Sequence, residues 1–239
     1  MDMFKNIDIS GAEEQVDYLG GGSFTVESGL YDGVIKLAYV TPSAKSQAKC
    51  VVTVIAYGDK EITDRTWIFN RNGDATYEKD GKTRMLPGFE TINDLCLVST
   101  GFPLAEQTVE EKVIKVWDSQ SKSEVNKNMP VITSLLGKKV SAAILKVTEN
   151  KQEKVGDSYV DTNESRDVNE TDKYFHTETK KTYLELKKDA DIAEADLFYT
   201  KWGDKNSGQT RNKFKEVTGS SGAPKSGTGS PKATKSLFG

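Results

Sequence analysis

The sequence has one histidine and two cysteines among 239 residues. A zinc site of the CxxC or HExxH kind needs three or four nitrogen and sulfur ligands at close spacing. His176 in KYFHTETKK, Cys50 in CVVTVIAY and Cys96 in LCLV are too few and too far apart to provide one. Nothing local supports a cysteine–histidine nucleophilic pair, and both thiols read as reduced and buried in a cytoplasmic protein. GxGxxG, GxxxxGK[ST] and GxSxG are absent, which removes the backbone signatures of dinucleotide, phosphate and acyl chemistry. GGGS at residues 20–23 shares only its glycines with a phosphate loop. No apolar run approaches the roughly 20 residues that cross a bilayer. MDMFKNIDISGAEEQ lacks the basic and apolar regions of a signal peptide. The expectation is therefore a non-enzyme without cofactor, metal or membrane span.

Carboxylates are plentiful. Asp157, Asp161, Glu164 and Asp167 fall in EKVGDSYVDTNESRDVNETD. That composition predicts an exposed, turn-rich excursion sooner than a two-metal nuclease centre. The net charge of −3 is unevenly spread: from Thr218 onward there are three lysines and no acid, so residues 1–217 carry −6. A net acidic body disfavours a general nucleic-acid binder, although a basic groove can lie on an acidic protein.

Residues 1–30 form an irregular N-terminal arm and residues 218–239 a disordered Gly/Ser/Pro/Lys tail with an apolar tip. Between them, 31–217 read as one domain. YDGVIKLAYV alternates, with Val34, Lys36, Ala38 and Val40 on one face. CVVTVIAY and RTWIFN are β-branched and aromatic, and TPSAKSQAK is a hairpin loop. Asn72-Gly73 and Asp80-Gly81 mark turns of a meander. GFETINDLCLVSTG is helical, with Ile92, Leu95 and Cys96 on one face and Gly101 as its stop. EEKVIKVWD is a strand, and MPVITSLLGKK predicts a short helix from Pro130 to Gly137. KVSAAILKVTENKQ and KYFHTETKKTYLEL read as strands, and ADIAEADLFYTKWGDKNSG as an amphipathic helix. The fold class is mainly β: an OB-like Greek-key barrel elaborated by two or three short helices, with other small barrels or sandwiches equally compatible.

One pattern points to ligand chemistry. Binding single strands without sequence preference needs cations along the backbone path and flat side chains for stacking, worth about 1–3 kcal/mol per base. Arg65, Trp67, Phe69, Arg71, Tyr77, Lys79, Lys82 and Arg84 supply both within 20 residues. Alternation in RTWIF puts Arg65, Trp67 and Phe69 on one face, which either meets bases or packs into the core with Thr66 and Ile68 outside. Lys115 and Trp117 in VIKVWD admit the same two readings.

FKNIDISGAEEQVDYLGGG, SGLYDGVIKLAYV, LPGFETINDLCLVSTGFPLAEQ, EKVIKVWD, LLGKKVSAAILKVTENK, YFHTETKKTYLE and KSLFG together resemble the single-stranded DNA-binding proteins of tailed bacteriophages. The resemblance spans nearly the whole chain. It implies an OB-type barrel that coats single-stranded DNA in replication, recombination and repair in the host cytoplasm. It also implies a C-terminal tail whose Lys235, Leu237 and Phe238 recruit a phage or host DNA polymerase, helicase or recombinase, and it is compatible with a homo-oligomer. Many such proteins have acidic tails; this one is basic, so it is no DNA mimic. The rival reading, favoured by the acidic body, is a protein-binding module that inhibits a host enzyme or mimics DNA.

Overall fold

The computed structural model describes residues 25–217, apart from 44, 119–120, 157 and 189–190. The tail residues Lys235, Leu237 and Phe238, and most of the N-terminal arm, lie outside the described residues. Three long strands open the fold: β1 (Gly29–Pro42), β2 (Lys49–Tyr57) and β3 (Lys60–Phe69). A small hairpin, β4 (Thr76–Lys79) and β5 (Lys82–Met85), leads into helix α1 (Pro87–Thr100). A ribbon of β6 (Val109–Asp118) and β7 (Ser123–Ile132) follows, then the long pair β8 (Lys139–Val155) and β9 (Ser158–Phe175). Two short helices, α2 (Tyr183–Lys188) and α3 (Phe198–Asn206), precede the last strand, β10 (Thr210–Asn212). Among the described residues no helix is long and apolar enough to cross a membrane.

The main sheet runs β10-β8-β1-β2-β3, with β9 on β8 and the β6–β7 ribbon joined to β1 at Tyr39↔Val131. All these ladders are antiparallel except β10 on β8. It follows that β9 runs parallel to β3. Among the described residues no ladder joins these two strands, so the sheet is not closed into the expected barrel. The seam is held by side chains instead. The Asp64 carboxylate of β3 accepts from the hydroxyl and backbone N–H of Thr171 on β9. The Tyr174 hydroxyl, buried behind it, bonds Thr171 and Thr53.

Burial raises the Asp64 carboxyl above the ordinary carboxylate range, with nearby Glu170 adding to it. An acid whose folded value is raised contributes stability that is complete at low pH and lost as pH climbs through that value. Asp64→Asn keeps an acceptor oxygen without the charge. Its melting temperature relative to wild type should therefore rise as pH climbs above the ordinary aspartate value of about 4, by on the order of a few degrees. A constant difference across a calorimetric pH series would show that Asp64 titrates normally.

The core explains most elements. Ile35, Ala38, Val51, Ile55 and Ile68 of the meander meet Ile92, Leu95 and Cys96 of α1, together with Val140, Ala142 and Ile144 of β8. Helix α1 begins with proline, whose missing N–H costs nothing there, and ends at Gly101 with φ of 82°. Its Gly88 is required by close approach, because a Cβ there would sit 2.1 Å from the Trp67 carbonyl of β3. The other face of β8 is buried too: Ala143, Leu145 and Val147 pack with Phe175 and Trp202 of α3. The Trp202 indole N–H donates to Asp172 at 2.7 Å.

Both ends of the described chain are fastened in the same way. Asn169 bonds the backbone N–H and C=O of Val26, at 2.8 and 2.9 Å. Asn150 does so for Lys215, at 2.9 and 2.7 Å, and Asn163 for Val217. Each side-chain amide thus replaces one rung of a ladder, where a strand partner is lacking.

Several expectations need correction. A bulge between Ile35 and Leu37 breaks the β1 alternation, so Ile35 and Ala38 face the core together. Pro130 does not start a helix. Met129 to Ile132 finish β7, and only Thr133–Leu135 form a 3-10 turn. The acidic excursion is strand β9, whose carboxylates serve β8: Asp161 accepts from Gln152, Glu164 from Lys151 and Asp167 from Thr148. The KYFHTETKKTYLEL strand stops at Phe175; a tight turn follows, with His176 Nδ1 beside the Thr179 hydroxyl at 3.0 Å. The amphipathic helix is confined to α3. Cys50 and Cys96 are free and buried, and burial raises both thiols, Cys96 to about 12.

Candidate nucleic-acid interface

In the meander, cross-strand register decides what lies beside what. On the side of β1–β2–β3 away from α1, Tyr39, Val52 and Arg65 form one row and Thr41, Cys50 and Trp67 the next. Cys50 and Val52 are buried, so the large groups above them stand at the surface. Trp67 is 47% exposed and Arg65 is exposed, while Ile68 behind them is 4% exposed. Arg65 lies near enough to the Tyr39 phenol and Cys50 thiol to lower both, against the larger upward push of burial. A cation, an indole and a phenol therefore share one face, and Tyr39 could not be assigned to it before the register was known.

Phe69 does not join them. The ladder shifts between Lys49 and Cys50, and the irregularity turns Phe69 inward against Phe89, with ring centroids 6.4 Å apart. Lys49 covers that ring, its Nζ 5.8 Å from the centroid. Of the two readings of RTWIF, Trp67 follows the outward one and Phe69 the packed one.

Arg71 sits in a tight turn organised by Asn70, whose side-chain oxygen accepts from the N–H groups of Asn72 and Asp74 at 2.9 Å each. Its carbonyl accepts from the Gln47 N–H, which ties this turn to the β1–β2 loop. The β4–β5 hairpin comes next. Its turn has positive φ at both central residues, 54° at Asp80 and 69° at Gly81, the twist that a two-residue hairpin favours. Tyr77 lies opposite Arg84 and Lys79 opposite Lys82. With a side-chain period of two, all four point to one face, and Glu78 with Thr83 to the other. Glu78 accepts a hydrogen bond from Thr83.

Ion pairs are frequent on β8 and β9, although Lys139 and Lys154 of β8, and Lys205 and Arg211 further on, form none among the described residues. On β8, β9 and the C-terminal elements, Lys146, Lys151, Arg166, Lys173, Lys201 and Lys213 each meet a carboxylate within 4 Å. Among the described residues, Arg65, Arg71, Lys79, Lys82 and Arg84 meet none. Their donors remain available to an outside anion.

Lys115 and Trp117 are placed elsewhere. They share a face of the β6–β7 ribbon, opposite Asn126 and Glu124. Among the described residues the ribbon's ladder to the sheet is at Val131, which pairs with Glu110, so Trp117 lies about 23 Å further along it. At the tip of β8–β9, exposed Tyr159 faces Lys154 across the ladder. That aromatic–cation pair escaped the sequence reading, because the segment looked like an acidic loop.

No protein-family model, no curated protein and no solved structure matches the chain.

Proposed function

We propose that the chain is a non-catalytic, sequence-independent single-stranded DNA-binding protein that serves phage DNA replication and recombination in the host cytoplasm. Two observations carry this reading: exposed Trp67 and Arg65 share the outer face of the meander, and the hairpin that follows β3 has a face of Tyr77, Lys79, Lys82 and Arg84, with none of these cations neutralised within the described residues. Trp67 and Tyr77 offer planes to bases, and the cations offer donors to phosphates. The strand order β3-β2-β1-β8-β9, with α1 between the third and fourth of these strands in sequence, supports an OB-like plan parted at the Asp64–Thr171 seam. Glu164, Asp167 and Glu149 are engaged by cations within the β8–β9 pair, so these carboxylates are not a bare acidic ridge of the kind a DNA mimic presents. The tail, outside the described residues, is assigned to recruitment of a polymerase, helicase or recombinase.

The test is fluorescence anisotropy of labelled oligo-dT against the full chain over a salt series, with duplex of equal length as the comparison. Binding should favour the single strand and weaken linearly on a log–log plot, by about 0.7 per phosphate contact. No binding at low salt rejects the proposal, and capture of host proteins in its place would favour the protein-binding module.

A further inference from the structure

The outer edge of β6 is bare. Among the described residues β6 pairs only with β7, leaving a ten-residue edge open to another strand. The face above that edge is also unusual. Val109, Val113 and Trp117 are 50, 70 and 67% exposed, and all three point the same way, with Glu111 and Lys115 between them. Glu111 and Lys115 form no ion pair among the described residues; the pair on this strand, Lys112–Glu110 at 3.1 Å, is on the opposite face. A two-stranded ribbon is marginal alone, and open apolar edges invite pairing.

The sequence of this edge is complementary to itself. When two β6 strands run antiparallel about Val113, Val113 meets its own copy. Glu111 then falls opposite Lys115 on both sides of the axis, and Val109 opposite Trp117. Sliding one strand by one residue places Lys112 opposite Lys115 and loses both ion pairs. A second feature marks the same place. Val109 lines an apolar groove of about 380 Å³, with Ile68, Phe69, Phe89, Leu104 and Pro130 among its walls. In the Val113 register the indole of the other copy arrives at the mouth of that groove.

We propose that β6 is a dimerisation edge: a second copy of this chain pairs its β6 antiparallel about a two-fold axis at Val113, and each Trp117 caps the other copy's apolar groove. The interface is isologous, as a two-fold requires. It joins the two ribbons into a four-stranded sheet. The inference rests on edge, charge and groove, and stands whether or not the protein binds DNA.

Sedimentation equilibrium of the full chain tests it. The wild type should sediment at twice the chain mass of 26.3 kDa. Glu111→Lys and Lys115→Glu each set like charges opposite each other twice, and each should weaken the dimer at least about tenfold. The double variant exchanges the charges and should restore it. Mixing the two single variants should give heterodimers, because each carries the complement of the other. Within one strand residues 111 and 115 are about 13 Å apart, so rescue can come only from between chains. Both positions are exposed, and circular dichroism confirms folding before each run. A wild type that stays monomeric up to about 100 µM, a dimer indifferent to Glu111→Lys, or a double variant that is not rescued overturns the proposal.

Discussion

Replacing Lys79, Lys82 and Arg84 together with alanine should weaken oligo-dT binding roughly a hundredfold at about 0.1 M salt, and lower the log–log salt slope by about 2. The reasoning starts in the unbound protein. Lys79 and Lys82 are directly opposed across the β4–β5 ladder, an arrangement that is unfavourable for like charges. No carboxylate relieves it among the described residues: Asp80 in the intervening turn forms no ion pair, and Glu78 lies on the other face. Such a cluster gains only when an anion arrives. A phosphate chain passing over the hairpin would be contacted by three cations, each adding about 0.7 to the slope for a single strand. The hairpin is exposed on both faces and the substitutions sever no ion pair within the described residues. Folding stability should therefore move by no more than about 0.5 kcal/mol. An unchanged slope with folding intact would take the hairpin out of the interface.

Trp67→Ala should produce the largest effect of any single substitution on binding, with a loss of about 1–3 kcal/mol, or roughly 5- to 150-fold in affinity. The indole stands above buried Cys50 in the outer row of the meander, and close to half of its surface is open. Its backbone carbonyl, not its ring, meets the first turn of α1 at Gly88. Removing the ring leaves that packing in place. The salt slope should remain as in wild type, since no phosphate contact is lost; this separates the stacking role from the charge role of the hairpin. Trp67→Phe should recover most of the affinity, because a flat ring suffices for stacking. Equal loss in the phenylalanine and alanine variants would point to a structural role for the indole.

Local chemistry was readable in the sequence wherever a residue type is tied to one conformation. Asp80-Gly81 takes the two positive φ values of its turn, and Gly101 the left-handed stop of α1. Ile92, Leu95 and Cys96 share one helical face and are all buried. Outcomes set by a distant partner were not readable. The hydrophilic β9 forms a strand because β8 offers it a full-length ladder and cations at Lys151 and Lys146. Pro130, which signals a helix start in isolation, lies in β7 opposite Glu111. The bulge at Ile35/Leu37 and the shift beside Cys50 reassign Ala38 and Phe69, and neither leaves a mark in the alternation of its own strand. For the candidate site the consequence is specific. RTWIF correctly put Arg65 and Trp67 on one face, while Tyr39 joined them only through register, and Lys115 and Trp117 went to a ribbon of their own.

The most direct measurement of the central reading is photocrosslinking of the full chain to oligo-dT carrying 5-iododeoxyuridine, with the crosslinked peptides located by mass spectrometry. Iodouracil joins preferentially to aromatic rings stacked on it. The crosslinks should fall on Trp67 and Tyr77, and should fade as salt is raised. Crosslinks confined to other aromatic residues, or none under conditions where the oligonucleotide is bound, would contradict the assignment of single-stranded DNA to the face of Arg65, Trp67 and the β4–β5 hairpin.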